Sequence, residues 1–124
     1  MARLRRRVLS VGAILGASLA LSACGTSGAI TQARTACTYV DQAIAVYRTS
    51  QSPATPAAQR SALANRAMAL LLRATPYAAS ATSTDGGWNP LMTTINEAER
   101  VPLRFLIPSL THLCAIAQSS TPYL

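Results

Sequence analysis

The chain has 124 residues, with 11 Lys+Arg against 4 Asp+Glu and a formal charge of +7. That length allows one small domain. It holds three cysteines, Cys24, Cys37 and Cys114, and one histidine, His112.

The first element is basic and then apolar. Arg3, Arg5, Arg6 and Arg7 precede an uncharged run from Val8 to Leu21 built of Val, Leu, Ile, Ala, Gly and Ser. A basic start, a short apolar run and small residues at its end describe an export signal. The run is shorter than the ~20 apolar residues of a comfortable membrane span. It closes on Leu21-Ser22-Ala23-Cys24, followed at once by Gly25-Thr26-Ser27-Gly28.

Leu21-Ser22-Ala23-Cys24 resembles the lipobox of bacterial lipoprotein precursors: an aliphatic residue, two small residues, then cysteine. The resemblance covers residues 1–24. It implies that the Cys24 thiol receives a diacylglyceryl group and that a lipoprotein signal peptidase cuts between Ala23 and Cys24. It also implies that two acyl chains then hold the protein on the extracytoplasmic face of the cell membrane. One chain alone binds only marginally, at about 0.8 kcal/mol per buried CH₂. Residues 1–23 are then a cleaved signal peptide, and 24–28 a lipidated cysteine with a flexible tether. Losing the four leader arginines takes the formal charge from +7 to +3, which weakens any nucleic-acid reading. Arg5-Arg6 partly resembles a twin-arginine signal, but Leu4 stands where that signal prefers Ser or Thr. A route for folded cargo also fits poorly with a disulfide, so the general secretory route is expected.

The next element is a helix over about 29–50. Ile30, Ala33, Cys37, Val40, Ile44 and Tyr47 recur at spacings of three and four, one stripe of a helix. Ala36, Tyr39, Ala43 and Val46 widen the stripe enough to touch two neighbours. Arg34, Asp41 and Arg48 repeat every seven residues on the rest, as a charge-balanced face. A second helix is predicted with Thr55 as its cap and Pro56 in the first helical position, running to about Thr75. Leu63, Ala67, Leu70 and Ala74, with Leu71, form its inner stripe. Arg66 and Arg73 flank that stripe, and Met68 and Leu72 point the other way. Pro76 ends or kinks this helix, with a further turn or two after it. Thr84-Asp85-Gly86-Gly87-Trp88 reads as a loop. Asn89-Pro90 restarts a helix through Leu91, Ile95 and Ala98. Pro102 and Pro108 interrupt a last, kinked helix carrying Leu103, Leu106, Leu110, Leu113 and Ala117 to about Gln118. Nothing reads as a strand.

The predicted fold is all-α: a small up-and-down bundle of about four helices over 29–118, with a fraying tail over 119–124. With Cys24 taken by lipid, Cys37 and Cys114 remain, and an even pair in an exported chain reads as a bridge. In an up-and-down bundle the start of the first helix lies beside the end of the last, which makes that bridge geometrically natural.

Catalytic chemistry is hard to place. Glu97 and Glu99 are two residues apart and do not share a helix face. Asp41 lies on a polar face, Asp85 in a turn and His112 on the predicted solvent face. No nucleophile elbow, phosphate loop or metalloprotease motif occurs, so the protein is expected not to be an enzyme and to need no metal or cofactor. Tyr77 and Trp88 bracket the Asp85 loop, as a lip for a ligand or, more simply, as a cap on the core. The short tether predicts that this loop faces the membrane. Met68, Leu72, Tyr77 and Trp88 are the candidate interface. The mature part resembles small, Ala-rich, two-cysteine lipoproteins of high-GC Gram-positive bacteria, a resemblance that assigns no activity. The expected function is a lipid-anchored, non-catalytic binding or scaffolding module of the cell envelope with a protein or glycan partner. A carrier holding a small apolar or glycan ligand between its helices is the alternative.

Overall fold

The computed structural model describes residues 26–121. The lipobox, the Ala23–Cys24 cleavage position, Cys24 and residues 122–124 lie outside them. Four helices follow in order: α1 Thr26–Gln51, α2 Ala57–Thr84, α3 Asn89–Glu97 and α4 Leu103–Gln118. A 3-10 turn, Gly86–Trp88, leads into α3. No strand occurs among the described residues, and none of their helices is long and apolar enough to cross a membrane. The all-α bundle expected from periodicity is the observed fold.

The α1–α2 pair is the backbone of the molecule and makes its largest helix–helix interface. Alanine makes it possible. Ala29, Ala33, Ala36 and Ala43 of α1 and Ala67, Ala74, Ala78 and Ala81 of α2 are all fully buried. A methyl group lets two helix backbones come close, toward the short end of the usual 8–10 Å interaxial range. The shorter helices complete a ring: α3 packs against α2, α4 against α1, and α3 against α4. Larger side chains fill the space between the pairs: Trp88, Leu71, Leu91, Ile95, Leu110 and Val40 are its largest fully buried members apart from the cysteines.

Four boundaries differ from the sequence reading, each for a local reason. α1 starts at Thr26, so three of the four tether residues are helical. Gly28 weakens a helix there by about 1 kcal/mol, but Ser27 O accepts from Thr31 Oγ1 at 3.0 Å, and Ala29 is already buried. Thr55 does not cap α2. Its hydroxyl instead donates to Thr49 O at 2.6 Å, a carbonyl near the end of α1 that also accepts from Ser52 N. Pro56 is itself the cap residue, without a side-chain bond. Pro76 does not end α2, which continues to Thr84 with Pro76 inside it. Pro76 has no N–H to donate within the helix, but it sits on the exposed side, while Ala74, Ala78 and Ala81 hold the segment against the core. The tail does not fray at its first residue: Ser119 O accepts from Arg34 Nη2 at 3.1 Å. Pro102 caps α4 and Pro108 lies within it.

The loop before α3 is ordered by Asp85. Its Oδ1 accepts from Gly87 N at 2.9 Å. A β-carbon on Gly87 would stand 3.2 Å from that oxygen, so glycine serves close approach here. Neither loop glycine has positive φ.

Candidate functional site

The covalent closure of the bundle is the best-built cluster of polar and reactive groups. Cys37 and Cys114 are joined, with Cα atoms 5.4 Å apart and a sequence separation of 77. Both are buried. Two hydrogen-bonded contacts flank the bridge. Arg34 Nε donates to Ala117 O at 2.8 Å, beside its bond to Ser119 O. Gln118 Nε2 donates to Asp41 Oδ2 at 2.8 Å. Arg34, Cys37 and Asp41 are spaced i, i+3 and i+7, one face of α1. Together they clasp the last turn of α4. The guanidinium also sits where the helix dipole favours a cation, against carbonyls the helix cannot pair internally. The sequence showed Arg34 and Asp41 only as a seven-residue charge repeat. Their role needs the position of α4, which no local pattern contains.

The remaining polar groups are dispersed. Asp85 is committed to its turn. Glu97 pairs with Arg100 on an exposed surface, a contact of the kind that contributes little to stability. Glu99 and His112 are exposed, His112 as its place on α4 predicts. No three His, Cys, Asp or Glu side chains gather into a metal-binding group among the described residues.

The four candidate interface residues do not form one patch. Trp88 is only 2% exposed. It is a core cap, and a membrane-facing or ligand-facing role for its ring is corrected by that burial. Asp85 anchors the turn that folds the indole inward, beneath the chain entering α3. Tyr77 is half-buried, and its ring stacks on Tyr39 of α1 with centroids 5.7 Å apart. Met68 is half-buried against the core. Leu72 alone is well exposed, at 47%. Sequence reasoning missed Phe105, which is 60% exposed on α4. Arg104 covers part of it, the guanidinium carbon 4.6 Å from the ring centroid. It lies beside Leu106 and between two prolines, where apolar spacing alone gives it no separate signal. A hollow of about 280 Å³ on the outside of α2 is lined by Arg66, Ala69, Leu70 and Arg73.

These features define a class: a disulfide-closed, Ala-cored helical bundle with polar clasps at the end where the chain enters α1 and leaves α4. No protein-family model, curated protein or solved structure matches the chain.

Proposed function

We propose that this protein is exported, lipid-anchored through Cys24 on the extracytoplasmic face of the cell membrane, and works there as a non-catalytic binding or scaffolding module. The observation that carries the reading is the Cys37–Cys114 bridge. Disulfides persist in oxidising compartments and are rare where thiol reductants circulate. This bridge lies downstream of a basic-apolar leader ending in Leu21-Ser22-Ala23-Cys24. The carboxylates support the non-catalytic part, because Asp41 and Asp85 already serve as structural acceptors. Phe105, with Arg104 against it, supports a binding role. It is a large apolar ring left in solvent on a helix whose other face is packed. The partner is an envelope protein or glycan. The carrier alternative draws less support, since the hollow around Arg66 and Arg73 lies outside α2 and not between helices.

Substitution of Cys24 tests the address. Cys24→Ala releases the protein from the membrane fraction or leaves it as an uncleaved precursor. A substituted protein that matures and stays membrane-bound refutes the anchor. Proximity labelling from the native envelope, repeated with Phe105→Ser, tests the module. Neighbours captured by the parent chain and lost with the substitution support it; an unchanged set of neighbours removes Phe105 from the binding surface.

A further inference from the structure

Among the described residues, the α1–α2 pair is covered on one face only. α4 meets α1 through Arg34, Cys37 and Asp41. α3 packs on both α2 and α4, so the two short helices share one side of the pair. Tyr39 lies two residues from Cys37 and from Asp41. At about 100° per residue, two steps place it nearly across the helix from that clasp. Its stacking on Tyr77 therefore marks the uncovered side. Seven residues along from these rings, Val46 on α1 and Leu70 on α2 are likewise half-buried at the core's edge. Arg73 and Arg66 stand four and eleven residues before Tyr77, spacings that keep them on the same side. They border the hollow floored by Ala69 and Leu70.

Charge is as one-sided as packing. α2 contains Arg60, Arg66 and Arg73 and no acidic residue. Asp41, the only carboxylate of α1, is turned to Gln118 of α4. Asp85, Glu97 and Glu99 belong to the turn before α3, to α3 itself and to the segment after it. The uncovered side thus presents tyrosine rings, aliphatic side chains and arginines, with no carboxylate among them.

We propose that this face is a membrane-docking surface, on which the α1–α2 pair lies flat against anionic phospholipid headgroups while α3 and α4 face away. The inference rests on the lipid-anchor reading in one respect, the tether. Thr26, the first residue of α1, comes two positions after Cys24, and extended chain spans at most about 3.5 Å per residue. A helix lying on the surface has its axis only about 5–6 Å from it, so the short tether reaches without strain. An upright domain would also satisfy the tether, but it would hold the arginines and tyrosines, spread along the pair, in water. Tyrosine favours the interface, and arginine can extend its head to phosphate while its stem stays on apolar surface.

The test uses the full chain with a photoreactive benzoyl-phenylalanine placed at Ala69, an exposed position lining the hollow, or at Phe105. Each protein is isolated after export, its bridge confirmed by the absence of alkylatable Cys37 and Cys114, and mixed with phosphatidylglycerol vesicles before illumination. Phospholipid adducts at position 69 and not at 105 are expected. Each arginine near an anionic surface is worth about 1 kcal/mol. Arg66→Gln with Arg73→Gln should therefore weaken docking about 30-fold and reduce the adduct yield at 69 accordingly. Phosphatidylcholine vesicles should reduce it likewise. Equal lipid adducts at 69 and 105, or a yield indifferent to the arginines and to lipid charge, overturn the proposal. A protein adduct at 69 in native membranes overturns it in favour of a protein partner on this face. The mass of the N-terminal peptide from the same sample reports the diacylglyceryl group separately. Its absence refutes the anchor, while the position dependence still decides the docking face.

Discussion

Breaking the Cys37–Cys114 bridge is the perturbation with the largest expected effect on the folded domain. The cysteines are separated by 77 residues. In the chain-entropy model a closed loop of that size stabilises the fold by about 4–5 kcal/mol, by limiting what the unfolded chain can explore. A single domain of roughly 100 residues is stable by only about 5–15 kcal/mol in total, so the bridge is worth roughly a quarter of that or more. Reducing it in a soluble mature chain carrying Cys24→Ser should lower the melting temperature by about 20 °C or more. Urea titrations with and without reductant, followed by Trp88 fluorescence, measure the effect. Trp88 is shielded in the native state and reports its own exposure. Because the model acts on the unfolded ensemble, the reduced chain should also show a steeper denaturant dependence, since it exposes more surface when it unfolds. A loss below about 1 kcal/mol, or an unchanged denaturant slope, would falsify the chain-entropy account of this bridge.

Four smaller perturbations probe other contacts. Arg34→Ala removes two bonds to the end of α4 and should cost about 1 kcal/mol, since the side chain is largely exposed; an equal loss from Arg48→Ala would show that the clasp is not the cause. Ala74→Leu forces a larger side chain between α1 and α2 and should cost about 1–3 kcal/mol, whereas Ala79→Leu on the exposed side should stay within about 0.5 kcal/mol. Thr75 Oγ1 is buried without a partner, so Thr75→Val should leave stability unchanged or raise it by about 1 kcal/mol; a marked loss in urea melts would reveal an acceptor or a water at that hydroxyl. Trp88 emission should resist acrylamide in the native state, and Trp88→Ala should cost about 3–5 kcal/mol.

What the sequence revealed depended on how local the cause was. The stripes of α1 and α4 are periodic and amphipathic, and both helices lie where those stripes place them. The pairing of Cys37 with Cys114 followed from counting and from the antiparallel ends of a bundle. The fate of Pro76 was less legible. A proline says that one hydrogen bond is lost, but whether the helix continues depends on what is packed beyond it. Here Ala78 and Ala81 are fully buried in the core, which holds the last turns of α2 in place. Thr55 shows the same limit. Its type and position before Pro56 fit a cap for α2, yet its hydroxyl donates back to the Thr49 carbonyl of α1. The burial of Trp88 and the exposure of Phe105 both have tertiary causes. The loop aromatic was folded under its turn by Asp85, and the aromatic amid apolar α4 residues was turned to solvent.

An alanine core also bears on how the domain is made. Among the described residues, ten of the twenty-one buried apolar side chains are alanine. Each buries little apolar area, and area is what drives folding, at about 25 cal/mol per Å². Close helix approach recovers dispersion contacts, but those form only once α1 and α2 are already aligned. Long-range closure is therefore the costly step, and the bridge, Arg34 and Asp41 all act on it, where the first half of α1 meets the end of α4. Without the bridge the domain should be close to its folding threshold. For a chain proposed to cross a membrane before folding, a reduced state that folds weakly is compatible with transport through a narrow channel, and oxidation afterwards makes the folded state persist. The measurement that joins these ideas is the stability of the reduced chain itself. A reduced domain stable by more than about 8 kcal/mol, in the middle of the range for single domains, would break the link between the thin core, the disulfide and secretion in the unfolded state.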